Sequence, residues 1–109
     1  MPYTLIMYSF IETRLFSQLV SKYLSDEEYA KLQHKLIEDP GAGDLIPGSG
    51  GIRKLRWKGP SRGKSGGVRV IYYARTKQGE IWMLTLYAKS VTENIPAHIL
   101  KKIKEEIDA

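Results

Sequence analysis

Cysteine is absent from the 109 residues. Disulfides and thiolate metal sites are therefore excluded, and a cytoplasmic protein fits that composition. Histidine is nearly absent too. His34 and His98 lie far apart, and neither has a partner at metal-ligand spacing, so neither a metal site nor a cofactor is expected. No apolar run approaches the roughly 18 residues needed to span a bilayer. Met1 to Phe10 has no basic n-region and no small-residue cleavage site, so a secretory signal is not expected either. Gly48-Ser49-Gly50-Gly51 lacks the Lys-Ser/Thr that completes a phosphate loop. No nucleophile elbow supports Ser-His-Asp hydrolysis. The most telling scarcity is of acids. Between Gly51 and Lys89 there is one, Glu80, against ten Lys and Arg. Two-carboxylate glycosidase chemistry has nothing to use there.

The positive charge is concentrated in that stretch. The whole chain carries +5, but residues 1–50 sum to −3, residues 51–89 to +9 and residues 90–109 to −1. A field of one sign attracts polyanions and speeds encounter with them. A surface meant only for solubility would mix signs. With 42% apolar residues the chain is an ordinary globular one, of a length that suits a single domain over 1–109.

Tyr3 to Phe10 is uncharged, aromatic and β-branched, and reads as a strand buried on most of both faces. From Glu12 to Leu24 the apolar period changes to three and four residues, which predicts a helix. Ser25 with Glu28 forms a capping box for a second helix, which Asp39-Pro40-Gly41 stops. A glycine-rich loop follows to Gly51. Three strands come next, Ile52–Lys58, Val68–Thr76 and Ile81–Lys89, the first two joined by the basic connector Gly59–Gly67. A last helix carries Ile95, Ile99, Leu100, Ile103 and Ile107 on a narrow stripe, capped by Thr92 or Asn94. Acids at its C-terminal end oppose the helix dipole, so it should depend on packing and dock loosely or on a partner.

Period-two counting then sorts the strands. Leu55 and Trp57, with Arg53, face the core. So do Val68, Val70, Tyr72 and Ala74, and then Trp82, Leu84, Leu86 and Ala88. The other face collects Lys54, Arg56, Arg69, Tyr73, Tyr87 and Lys89. These residue types suit RNA phosphodiester chemistry, in which the substrate's 2′-OH is the nucleophile. The protein must move two protons and stabilise charge on phosphorus. Arg forks bind two phosphate oxygens. A Lys crowded by Arg is a candidate base, and Tyr hydrogen-bonds the 2′-OH or stacks on a base. A non-cleaving RNA-binding face would use the same residues, and composition alone does not choose between them.

Four segments together resemble the RelE/ParE toxin superfamily of bacterial toxin–antitoxin pairs, most closely its HigB-like branch. They are Leu24-Ser25-Asp26-Glu27-Glu28-Tyr29; Gly43-Asp44 with Gly48 through Arg56; Gly66 through Tyr73; and Leu84 through Lys89. The resemblance implies an α+β fold of order β-α-α-β-β-β-α, a mostly antiparallel twisted sheet with helices packed on one face. It implies a cytoplasmic toxin that cleaves mRNA in the ribosomal A site without a metal, neutralised by a HigA-type helix-turn-helix antitoxin. Lys54, Arg56, Arg69, Tyr87 and Lys89 match the family's catalytic positions, Arg69 being the one that contacts the scissile phosphate. Lys58, Arg62, Lys64 and Tyr73 are expected to contact RNA. Two departures stand out. RelE-type members have an Arg directly after the Lys that Lys89 matches, where this chain has Ser90. They also have a catalytic Tyr shortly afterwards, where Thr92 to Ile99 offers only His98. The proton-transfer partner therefore falls among Tyr73, Tyr87, Lys89 and the final helix. The ParE branch shares the fold and targets gyrase, so a non-cleaving gyrase inhibitor or RNA-binding module is the alternative.

Overall fold

The structure, a computed structural model, describes residues 7–58, 67–88 and 95–109. The chain runs β1 (Ser9–Glu12), α1 (Arg14–Tyr23), α2 (Asp26–Glu38), β2 (Asp44–Leu45), β3 (Arg53–Trp57), β4 (Val68–Arg75), β5 (Glu80–Ala88) and α3 (Ala97–Asp108). A 3-10 turn at Thr76–Gln78 links β4 to β5. The strands make one sheet in the order β1-β5-β4-β3-β2. Neighbours from β2 to β5 are antiparallel, and β1 runs parallel to β5. The fold is thus mixed α+β in the expected order, with the two-residue β2 added inside the glycine-rich loop. No described helix is long and apolar enough to cross a membrane.

Local chemistry fixes the helix starts. The Ser25 hydroxyl accepts the Glu28 N–H at 3.1 Å, and the Glu28 carboxylate accepts the Ser25 N–H at 3.0 Å. This reciprocal cap was legible in the sequence. The cap of α1 is Thr13, whose hydroxyl accepts the Phe16 N–H and donates to the Leu84 carbonyl at 2.7 Å. That second bond has a particular use. The β4–β5 register runs Ile71↔Thr85 and then Tyr72↔Met83, so Leu84 is an extra residue in β5. Such a bulge interrupts the ladder, and Thr13 supplies the Leu84 carbonyl with a donor.

The bulge changes which side chains share a face. Beyond it, Ile81 and Met83 join Val70, Tyr72 and Leu86 in the core beneath α1 and α2, together with Phe16, Leu32 and Leu36. Trp82 and Leu84 pass to the opposite face. Period-two counting through an unbroken strand places Trp82 and Leu84 on the core side instead. It stays correct for Thr85, Tyr87 and all of β4, which lie on the far side of the bulge or outside it. Arg53 is held on the core side as expected, its guanidinium donating to the Gly43 carbonyl at 2.7 Å and the Gly41 carbonyl at 3.3 Å. Tyr72 adds to that anchor, donating to the Pro40 carbonyl and accepting the Gly43 N–H.

Three further expectations are corrected. The helices do not all pack on one face: α3 lies against the opposite side of the sheet, where Leu100 is buried with Ile52, Ile71 and Leu84. It docks on its own chain through Leu100, Ile103 and Ile107, because the bulge delivers Trp82 and Leu84 to the face it covers. Of the strand expected over Tyr3–Phe10, residues 3–6 lie outside the described residues; over the described ones β1 begins at Ser9 and runs on to Glu12, and none of its residues is fully buried, as suits an edge strand with one neighbour. Glu80, which the expected strand Ile81–Lys89 leaves out, is the first residue of β5.

Gly67 precedes β4 with φ of +77°, and a Cβ there would overlap the Trp57 carbonyl. Gly67→Ala is expected to destabilise the protein by about 2 kcal/mol or more, from a left-handed backbone combined with a backbone clash. The midpoint of urea unfolding, at unchanged m-value, measures it.

Candidate nucleic-acid interface

The side of the sheet that carries α3 also carries the basic residues. β3 and β4 pair Arg56 with Arg69, and β4 and β5 pair Arg69 with Tyr87, giving one cross-strand row Arg56–Arg69–Tyr87. Two residues along β3, Lys54 pairs with Ile71 on one side and with Asp44 of β2 on the other. The structure thus brings together Lys54, Arg56, Arg69 and Tyr87. Lys58 is exposed just past the end of β3. Lys89, Arg62 and Lys64 lie outside the described residues.

Like charges directly opposite each other across a strand pair cost roughly 0.2–1 kcal/mol. The Arg56–Arg69 pairing therefore works slightly against the fold. An anion placed across the two guanidinium groups would reverse that sign, since each offers a planar fork of donors. Tyr87 is 8% exposed. Burial pushes its phenol pKa up, and the Arg69 charge partly offsets this. Its hydroxyl is thus protonated at neutral pH and can donate, but it is a poor base.

The opposite end of this face is neutralised. Arg75 meets Glu80 at 2.9 Å and Asp108 of α3 at 3.3 Å, and Trp82 donates its indole N–H to Glu80. Asp108 also pairs with Lys104 at 2.8 Å and accepts from the Tyr73 hydroxyl. Tyr73 therefore shares the face with Arg69 but sits beneath α3, its hydroxyl engaged by Asp108 and Lys104 lying 5.9 Å from its ring centroid. Hydrogen bonding from Lys104 is the largest cause holding the Asp108 carboxyl below its usual value. Burial opposes it, and Tyr73 and neighbouring charges add to it. In the sequence Asp108 shows only as an acid at the unfavourable end of the helix dipole, with no sign of its partners. Its partners come from β4 and from one turn earlier in α3.

Between the row and the first turn of α3 lies a cavity of about 520 Å³, whose lining includes Asp44, Lys54, Ile71, Tyr87, Pro96 and Leu100. The loop before β3 closes its outer side. Ser49, fully buried, holds that loop: its hydroxyl donates to the Ile46 carbonyl at 2.7 Å and accepts the Ile52 N–H at 3.0 Å. A serine bonding backbone two or three residues away is a recognisable turn signal, here hidden among glycines. His34 and His98 are exposed, and no metal-binding group of three His, Asp or Glu gathers among the described residues.

Two outcomes follow. Arg69→Ala should raise the Tyr87 pKa further, because the cation that favours its phenolate is gone; NMR of ring-labelled tyrosine against pH reads the shift. Asp108 has a depressed folded-state pKa, so the stability it contributes is complete above its unfolded value of 3.8 and is lost as pH falls through the lower folded value. Asp108→Asn should flatten that acid limb of the stability curve and speed amide exchange in α3 while leaving α1 and α2 protected.

No family model matches the chain. Among solved structures, the free-state structure of an E. coli RelE toxin carrying two Arg-to-Ala substitutions superposes with a TM-score of 0.58. It covers 90% of this chain and 97% of that one, at 16% sequence identity. At that identity the likeness is one of fold, and the fold of this chain is RelE-like.

Proposed function

We propose that the chain is the toxin of a type II toxin–antitoxin pair of the HigB-like branch, a ribosome-dependent endonuclease that cleaves mRNA in the A site. The observation that carries this reading is the row Arg56–Arg69–Tyr87. It sets two phosphate-binding forks beside a protonated phenol on a face that also bears Lys54.

In this reading the scissile phosphate lies across Arg56 and Arg69. The 2′-OH of the preceding nucleotide attacks phosphorus, and its proton passes to Lys54 or Lys89. Charge builds on the non-bridging oxygens, where the guanidinium groups strengthen their hydrogen bonds. The 5′-oxygen leaves with a proton donated by Tyr87. The products are a 2′,3′-cyclic phosphate and a 5′-hydroxyl. Arginine supplies the charge and the substrate supplies the nucleophile, so this route calls for no metal or cofactor. Arg56 takes the place of the charge lost where Ser90 stands, and Tyr87 that of the hydroxyl missing from Thr92–Ile99. Lys58, Arg62 and Lys64 would hold flanking RNA phosphates. Tyr73, engaged by α3, would act by anchoring that helix beside the site. The partners are the ribosome, its mRNA and a HigA-type helix-turn-helix antitoxin, all cytoplasmic.

Ribosomes programmed with a defined mRNA should be cut in the A site, with EDTA making no difference. Arg69→Ala should slow single-turnover cleavage by about 10²–10³-fold, the usual loss for one transition-state donor. Equal cutting by Arg69→Ala would refute the role of the row. RNA bound but left whole would point to a binding module, and intact mRNA with a DNA-damage response to a gyrase inhibitor.

A further inference from the structure

The cavity beside the basic row is unlike the row itself. Ile71, Pro96 and Leu100 give it apolar walls, and its polar groups, Asp44, Lys54 and Tyr87, include a carboxylate. A carboxylate repels phosphate, so Asp44 has no use as a backbone contact. Apolar walls with a few polar groups at one side are the usual make-up of a small-ligand pocket, and about 520 Å³ is within the usual size range.

We propose that this cavity receives one nucleobase of the bound RNA and that Asp44 makes it select guanine. The inference rests on reading the Arg56–Arg69 row as the phosphate site. Asp44, Lys54 and Ile71 are register partners in the next row, two residues along β3. That step is about 6–7 Å, within the reach of one nucleotide from its phosphate to its base. Splayed single-stranded bases are recognised by stacking against flat side chains and by hydrogen bonds to their edges. Here Tyr87 and Pro96 offer the flat surfaces, and Asp44 with Lys54 an acceptor beside a donor. Guanine matches that order. Its N1–H and 2-amino group are adjacent donors for the two carboxylate oxygens, and O6 beside them accepts from an ammonium. Adenine and cytosine place a single amino group next to an acceptor, and uracil has one N–H. An ammonium has three donors, so a partner already held by Lys54 leaves others for O6, and with Lys54 charged in this role the 2′-OH proton passes to Lys89.

The test is an NMR titration of the full chain, with labelled Ile and Leu methyls and Arg side chains, against five probes. These are the 5′-monophosphates of guanosine, adenosine, cytidine and uridine, and ribose 5-phosphate. Arg69 should respond to all five. The Ile71 and Leu100 methyls should respond to guanosine monophosphate most strongly and to ribose 5-phosphate not at all. Asp44→Asn should reduce the preference for guanosine about tenfold without weakening ribose 5-phosphate. Methyls silent to every nucleotide while Arg69 responds would dismiss the pocket and leave the phosphate row standing. Silence of both would remove the row and the pocket together. Methyls that respond equally to all four nucleotides, in wild type and Asp44→Asn alike, would overturn the assignment of Asp44.

Discussion

β4 is hydrogen-bonded on both sides, to β3 and to β5, and its register decides which side chains meet on each face of the sheet. On the core side it aligns Val68, Val70 and Tyr72 beneath α1 and α2, where all three are fully buried. On the other side the same register sets Arg69 between Arg56 and Tyr87. A slip of one residue would expose the aliphatic row and drive Arg69 under the helices, at a cost no folded state would bear. The hydrophobic pattern of β4 is thus what forces two arginines into a cross-strand pairing.

The face they occupy has two electrostatic halves. At the other end, carboxylates from β5 and from α3 pair with Arg75 and Lys104, and these ion pairs with Tyr73 hold the C-terminal turn of α3. Around Arg56 and Arg69 the strand partners are Tyr87, Ile71 and Lys54, and among the described strand residues the carboxylate at this end is Asp44, beyond Lys54 at the sheet edge. α3 joins the halves. Its last turn is tied down by Asp108, Leu100 is buried against the sheet, and its first turn stands over the cavity. Helix anchoring and site shape are therefore coupled along one rigid element.

Most of the framework was legible because its signals are local. The Ser25–Glu28 cap, the stop at Asp39-Pro40 and the alternation of β3 and β4 each depend on residues close in sequence. The grouping of Lys54, Arg56, Arg69 and Tyr87 on one face followed from that alternation, which is undisturbed at those positions. What escaped depends on distant partners. The extra residue at Leu84 shows only when β5 is laid against β4, and it moved Trp82 and Leu84 to the face opposite to the one expected. Two-residue β2 has no pattern of its own and exists because β3 offers an edge. Asp108 looked unfavourable on its helix and is explained by Arg75 and Tyr73, more than thirty residues away. Asp44 lay inside a recognised motif, yet its place beside Lys54 needed the register to reveal it.

The most direct measurement is a structure of the protein on a ribosome whose A-site mRNA carries a 2′-deoxy nucleotide before the scissile phosphate, so that cleavage cannot proceed. That phosphate is expected between the Arg56 and Arg69 guanidinium groups, with the Tyr87 hydroxyl turned to its 5′-oxygen. An mRNA path over α1 and α2, or a phosphate bound away from the Arg56–Arg69 pair, would contradict it.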